Sequence, residues 1–251
     1  MIRILALILL CSPALAAETI VTGLSQSKVQ ITTDFDGSDI LVYGAIKRDA
    51  PTPPGSVMDV IITLEGPSSA LVVRRKQRVM GLWINGSSVQ ISNAPSFYAV
   101  MTTGPLEDIL NAEEDQRFAI TLDRRINTTE ISVNTMDFPE YTQALRRIRL
   151  QGQQYQAPMP LVQLVDDTLF RTDFALPANL TEGNYKVRLF ILRDGLVVDS
   201  QERFINVRKT GLERDLTNLA HQQPLIYGLL SLIMAAVAGW AASQAFRLIR
   251  R

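Results

Sequence analysis

The sequence predicts a mainly β protein: an Ig-like β-sandwich-type ectodomain with one or two short helices, held to a membrane by a single C-terminal transmembrane helix. Three observations lead there. Short apolar runs alternate with turn-forming clusters at intervals of roughly ten residues, the rhythm of an antiparallel sandwich. An uncharged stretch, Leu225–Ala242, stands directly before a basic tail. A shorter apolar run opens the chain and ends in small residues.

The opening run is MIRILALILLCSPALAAE. Arg3 precedes the apolar segment Ile4–Leu10, Pro13 breaks it, and Ala14-Leu15-Ala16 supplies a cleavage site. This is the pattern of a signal peptide, residues 1–16, with cleavage after Ala16 or Ala17. The run is too short to span a bilayer, which needs roughly 20 apolar residues.

Strands are expected over Val29–Thr33, Ile40–Ile46, Val57–Leu64, Leu71–Arg75, Gly81–Ile84, Val89–Ile91 and Phe97–Thr102. Their separators are DFDGSD, APTPPG, GPSS, NGSS and SNAPS, all rich in turn residues. Pro within Ala50–Gly55 cannot continue a strand. Leu106–Leu110 reads as a short helix. A second helix starts at Asp137, with Glu140 three residues on as in a capping box. Tyr141, Ala144, Leu145 and Ile148 then fall on one face, and Arg146, Arg147 and Arg149 suit the negative end of the helix dipole. Strands resume at Thr168–Leu176, Asn184–Leu192 and Leu196–Val207. Arg193-Asp194-Gly195 signals a tight hairpin. Tyr185, after LPANLTEGN, suggests a tyrosine corner. The ectodomain covers 17–209, readable as two β units (17–103 and 155–209) flanking a helical insert.

Leu212, Leu216 and Leu219 recur at helical spacing, giving a juxtamembrane amphipathic helix over 210–223 that ends near Pro224. The span covers 224–246; its Leu225–Phe246 part is about 33 Å long as a helix. Arg247, Arg250 and Arg251 follow in a tail, 247–251, which the positive-inside rule places in the cytoplasm. The expected topology is therefore single-pass, with the ectodomain on the outer side of the membrane.

Composition excludes several chemistries. The 25 basic and 25 acidic side chains cancel, which points away from nucleic acid. Outside leader and tail, 21 cations face 25 anions. The one cysteine, Cys11, lies in the leader, and the one histidine, His221, lies next to the span. Disulfides, thiolate chemistry, Cys-ligated zinc and histidine-based triads are thereby removed. No catalytic motif is present, and no catalytic residue, metal site or cofactor is assigned. DFDGSD has acids spaced for calcium but lacks the full loop, and an Asp-Gly turn explains it equally. Asn85-Gly86-Ser87, Asn127-Thr128-Thr129 and Asn179-Leu180-Thr181 match the glycosylation pattern.

Two patterns are candidates for contact. VVRRKQRVMGLWIN packs four cations into five residues. On a strand, Arg74, Lys76 and Arg78 share one face, a stripe about 13 Å long. Either acids such as Asp34, Asp36, Asp39 or Glu113–Asp115 neutralise it, or it meets an anionic ligand, a partner loop or lipid head groups. Trp83 either packs in the core or walls a cleft. In the span, Ser231, Ala235, Gly239 and Ser243 recur every fourth residue. Small side chains let helices approach closely in lipid, so this stripe suits a polytopic partner or a second copy; chance composition gives the same pattern.

Several further stretches carry a resemblance. They are Glu65-Gly66-Pro67, Val73-Arg74-Arg75-Lys76, Gly81-Leu82-Trp83-Ile84-Asn85, Ala94-Pro95-Ser96-Phe97-Tyr98-Ala99-Val100, Pro105-Leu106, Leu169-Phe170-Arg171 and Leu176-Pro177-Ala178-Asn179-Leu180, with Gly183, Tyr185 and the Arg193-Asp194-Gly195 turn. Together they resemble the putative transmembrane protein family of alphaproteobacteria over nearly the whole chain. The resemblance implies an inner-membrane protein with a periplasmic domain and supplies no catalytic residues. It suggests an anion transporter, of the sulfite-exporter type, as partner. The expected function is a non-enzymatic accessory or binding subunit docked on a polytopic membrane protein; the alternatives are an envelope module dimerising through its span and a hydrolase using loop carboxylates. The lipid bilayer is a partner in every case.

Overall fold

A computed structural model describes residues 18–32, 34–48, 55–127, 138–210 and 219–249. The leader, most of the Pro-rich loop, the Asp137 cap, Leu212, Leu216 and the last two arginines lie outside the described residues.

Eleven strands and five helices have both ends among them, and a further helical turn stands at 219–222, just before the last helix. The strands before the helices are β1 (Glu18–Leu24), β2 (Lys28–Ile31), β3 (Gly37–Arg48), β4 (Met58–Glu65), β5 (Ser68–Val79), β6 (Leu82–Pro95) and β7 (Tyr98–Thr102). Helices α1 (Leu106–Ile109), α2 (Ala112–Phe118), α3 (Leu122–Asn127) and α4 (Phe138–Gln151) come next. Strands β8 (Gln163–Val165), β9 (Leu169–Pro177), β10 (Gly183–Arg193) and β11 (Leu196–Lys209) precede α5 (Pro224–Ile249).

Two sheets form the sandwich, one ordered β1-β3-β9-β8 and the other β2-β11-β10-β4-β7. Strands from both halves of the β-rich region interleave: β3 pairs with β9 and β4 with β10. The two β segments seen in the sequence therefore build one sandwich.

The burial pattern explains why β4 and β10 are nearly continuous apolar runs. Successive side chains point to opposite faces, and both faces of these strands are covered. Val60, Ile62 and Leu64 of β4 join Val187, Leu189 and Ile191 of β10 in the core against the first sheet. Ile61, Phe190 and Leu192 point the other way, into a second core with Tyr98, Val100, Ile120, Ile126 and Leu145. The helices and the base of the β5–β6 hairpin roof that second core. Strand β9, covered on one face only, alternates instead: Phe170, Thr172, Phe174 and Leu176 are buried.

Two sequence signals are met closely. Asp194 and Gly195 take φ of 50° and 82° in a two-residue turn between paired Arg193 and Leu196, the conformation that favours Asp-Gly. The Tyr185 hydroxyl donates to the Thr181 carbonyl at 3.0 Å, closing the tyrosine corner.

Other expectations are corrected. Gly81–Ile84 and Val89–Ile91 are one strand, β6, because the NGSS segment is a bulge: Gly86 and Ser87 together oppose Arg75. Strands β1 and β8 and helices α2 and α3 add to the elements expected. The Glu113–Asp115 run sits on α2, where Asp115 accepts from the Ile120 and Thr121 amides and the Thr121 hydroxyl. Ile148, expected on the buried face of α4, is 58% exposed and lines a cleft.

Candidate functional site

The β5–β6 hairpin starts in the second core and ends in solvent. Cross-strand partners share a face of the ribbon. Leu71 opposite Ile91 and Val73 opposite Val89 anchor one face to the body. Farther out, the same face carries Gln77 with Ile84 and Val79 with Leu82, and nothing in the described residues covers them. The other face carries Arg74 opposite Ser88, Lys76 opposite Asn85 and Arg78 opposite Trp83. The cationic stripe expected from the alternation is therefore present.

The turn is Met80-Gly81, with φ of 51° and 84°. Met80 is fully exposed, Leu82 is 71% exposed and Trp83 is 69% exposed. Trp83 thus lies neither in the core nor against a cleft wall; it stands at the tip, one rung behind the turn. From Arg74 to Val79 the free shaft runs roughly 17 Å.

Residues 68–95 contain no Asp or Glu. The acids expected to answer the stripe do not do so. Glu114 pairs with Arg117 and accepts from the Val197 amide, and Asp115 is engaged in its own turn. Asp34, Asp36 and Asp39 make no ion pair with the hairpin among the described residues. The one pair that reaches it is Arg75–Glu140 at 3.2 Å, with both side chains more than half exposed; such pairs contribute under about 1 kcal/mol. Arg74, Lys76 and Arg78 have no ion-pair partner among the described residues.

Between β5 and α4 lies a cleft of about 470 Å³. Val73, Arg74, Arg75, Lys76, Tyr141 and Arg147 line it, with Glu140 as its one carboxylate, paired to Arg75. Beside the cleft the Tyr141 and Ser87 hydroxyls bond at 2.6 Å, tying helix to hairpin. This arrangement can attract an anion. It offers no histidine and no nucleophile–base pair. A second cleft, about 600 Å³, has Asp36, Asp173, Gln153 and Gln156 in its lining. No histidine, cysteine, serine or basic side chain joins them there. No cluster of three metal-ligating side chains occurs among the described residues, DFDGSD included.

Sequence reasoning missed a buried polar network under the helices. Arg188 on β10 donates to the carbonyls of Phe118 and Ala119 at 2.7 and 3.0 Å, satisfying the C-terminus of α2. It also donates to the Tyr98 hydroxyl, which in turn donates to the Ile120 carbonyl at 2.6 Å. Burial pushes the Tyr98 phenol up to about 12, although the Arg188 charge pulls the other way. The available signal was one arginine inside the apolar run KVRLFIL. A charge there is costly unless it is fully hydrogen-bonded.

Helix α5 carries the membrane-spanning composition over Pro224–Ser243, with mean hydropathy 2.0. Ser231, Ala235, Gly239 and Ser243 fall along one line of it at fourfold spacing. The Ser231 hydroxyl donates back to the Tyr227 carbonyl at 2.9 Å, so it needs no outside partner. A Cβ placed on Gly239 would meet nothing within 4 Å.

Among the described residues the sandwich is followed by one exposed apolar helix long enough to cross a membrane, which is the build of a membrane-anchored β protein. A family model described as "Putative transmembrane protein" matches residues 19–248, and the chain belongs to that family. Comparison with curated proteins finds no match.

Proposed function

We propose that this protein is a non-enzymatic accessory subunit of the inner membrane, exported by its leader, with the sandwich in the periplasm and the tail in the cytoplasm. It docks on a polytopic membrane protein, and an anion transporter is the partner class to test first. The β5–β6 hairpin carries this reading: it leaves the body with four cations, no anion and an uncovered apolar tip. That is a surface for contact, without the acid–base or nucleophilic groups that turnover needs. The small-residue line of the span supports close helix packing against the partner.

Crosslinking in membranes, followed by capture of the tagged full-length chain, tests the docking. A discrete integral membrane protein should be recovered, and Ala235→Leu with Gly239→Leu should abolish that recovery. Unchanged recovery removes the span from the interface. The same small-residue line also suits a second reading, an envelope module that dimerises through the span. A stable homodimer in mild detergent with no other captured protein selects that second reading.

A further inference from the structure

We propose that the β5–β6 hairpin seats its tip in the interfacial layer of an anionic phospholipid bilayer, the one that α5 crosses. The inference rests on the reading of the hairpin as the contact element and gives it the bilayer beside the docked protein, leaving the protein contact to the span.

The tip residues run against local preference. A two-residue turn with both φ values positive favours Asn, Asp or Gly at its first position. Here Met80 holds it at φ 51°, fully exposed. Leu82, Trp83 and Ile84 follow, at 71%, 69% and 46% exposure. In water this crown gains nothing from burial, and the turn is strained for it. An apolar phase beyond the turn accounts for both.

The cations lie immediately behind. Arg78 is on the rung of Trp83, then Lys76 and Arg74 follow up the shaft. Along one axis the hairpin therefore presents apolar crown, indole, then positive charge. A bilayer presents the complementary order: acyl boundary, the interfacial level that tryptophan prefers, then phosphates. The absence of any acid between residues 68 and 95 completes the match in sign. Strands β4 and β11 flank β10 in the same direction, with Glu65 and Phe204 on either side of Lys186, so β4 enters the hairpin and β11 finishes, on the way to the span, at the same end of that sheet, and tethering by the span raises the effective concentration of lipid there.

The test uses the full-length chain with Trp240→Phe, which leaves Trp83 as the sole tryptophan. It is placed in nanodiscs of phosphatidylethanolamine and phosphatidylglycerol with brominated acyl chains. Trp83 emission is expected to shift to shorter wavelength and to be quenched by the bromines. Both effects should fall several-fold in phosphatidylcholine nanodiscs, and likewise on replacing Arg74, Lys76 and Arg78 with Gln. Met80→Asn with Leu82→Ser, which keeps a favourable turn but removes the crown, should abolish the quenching. Water-like, unquenched Trp83 emission in the anionic nanodiscs overturns the proposal. Should Trp83 then be shielded in native membranes, the hairpin contacts a protein and the docking reading stands. Should it be exposed there too, both fall.

Discussion

Arg125 of α3 donates two hydrogen bonds to one carboxylate oxygen of Glu65 at the end of β4, at 3.0 Å from Nε and 2.8 Å from Nη2. This pair pins the helical layer to the central sheet beside the root of the hairpin. Glu65 is 4% exposed. Burial lowers the Arg125 pKa, but the hydrogen bond and charge of Glu65 raise it further, so the guanidinium stays charged. Arg125→Met leaves a buried carboxylate without its cation. The expected loss is about 3 kcal/mol, a fall in Tm of roughly 6–12 °C. Thermal melts of the reconstituted chain measure it; an unchanged Tm contradicts the pinning role.

Alkaline pH should weaken the fold through its tyrosines. Burial is the main cause that pushes Tyr98, Tyr155 and Tyr185 from 10.0 up to about 12. Between those values the unfolded chain has lost phenolic protons that the folded chain retains. Stability is therefore full below pH 10 and falls as pH rises towards 12, by about 1.4 kcal/mol per unit for each tyrosine. Tyrosinate absorbance from these three should appear together with unfolding. Tyr98→Phe should flatten the slope; a slope that does not change removes Tyr98 from the effect.

Gly44 of β3 is sterically required. A Cβ there would lie 2.5 Å from both the Val21 carbonyl oxygen on β1 and the Phe170 ring on β9. Gly44→Ala must push apart the neighbouring strands of the first sheet. A loss of about 2 kcal/mol is expected in urea denaturation. A neutral effect means that the sheet yields more easily than this geometry allows.

Tyr185→Phe keeps the buried ring and deletes the hydroxyl that bonds Thr181. The Thr181 carbonyl loses its partner at the entry to β10. The expected cost is about 1 kcal/mol, seen as a Tm lowered by roughly 2–4 °C with far-UV circular dichroism retained.

Local chemistry made much of the fold legible. The Asp194-Gly195 turn, the Tyr185 corner and the uncharged span each depend on residues adjacent in sequence. The alternation that assigns Arg74, Lys76 and Arg78 to one face is also local. Helices α2 and α3 were harder to read, because they are short and their acids resemble a loop. Sequence divides strand β6 in two, because Asn85-Gly86-Ser87-Ser88 is as good a turn as a bulge until Arg75 is placed opposite it.

The sequence alone determined the class of protein: a sandwich-forming domain and one C-terminal apolar helix of membrane-spanning length. Period-two alternation, turn chemistry and the cost of charge in lipid act over a few residues and need no fold to be evaluated. Only the tertiary structure decided what surrounds each charge. Four of the chain's arginines illustrate this. Arg188 and Arg125 are buried or half-buried against carbonyls and a carboxylate supplied from 60 or more residues away, while Arg74 and Arg78 meet water. Nothing in their neighbours distinguishes them, because the partners that neutralise a side chain are brought by long-range strand pairing and helix docking. The same physics left the hairpin tip uncovered: burial is decided by what folds over a segment, and here the helical layer stops short of Met80.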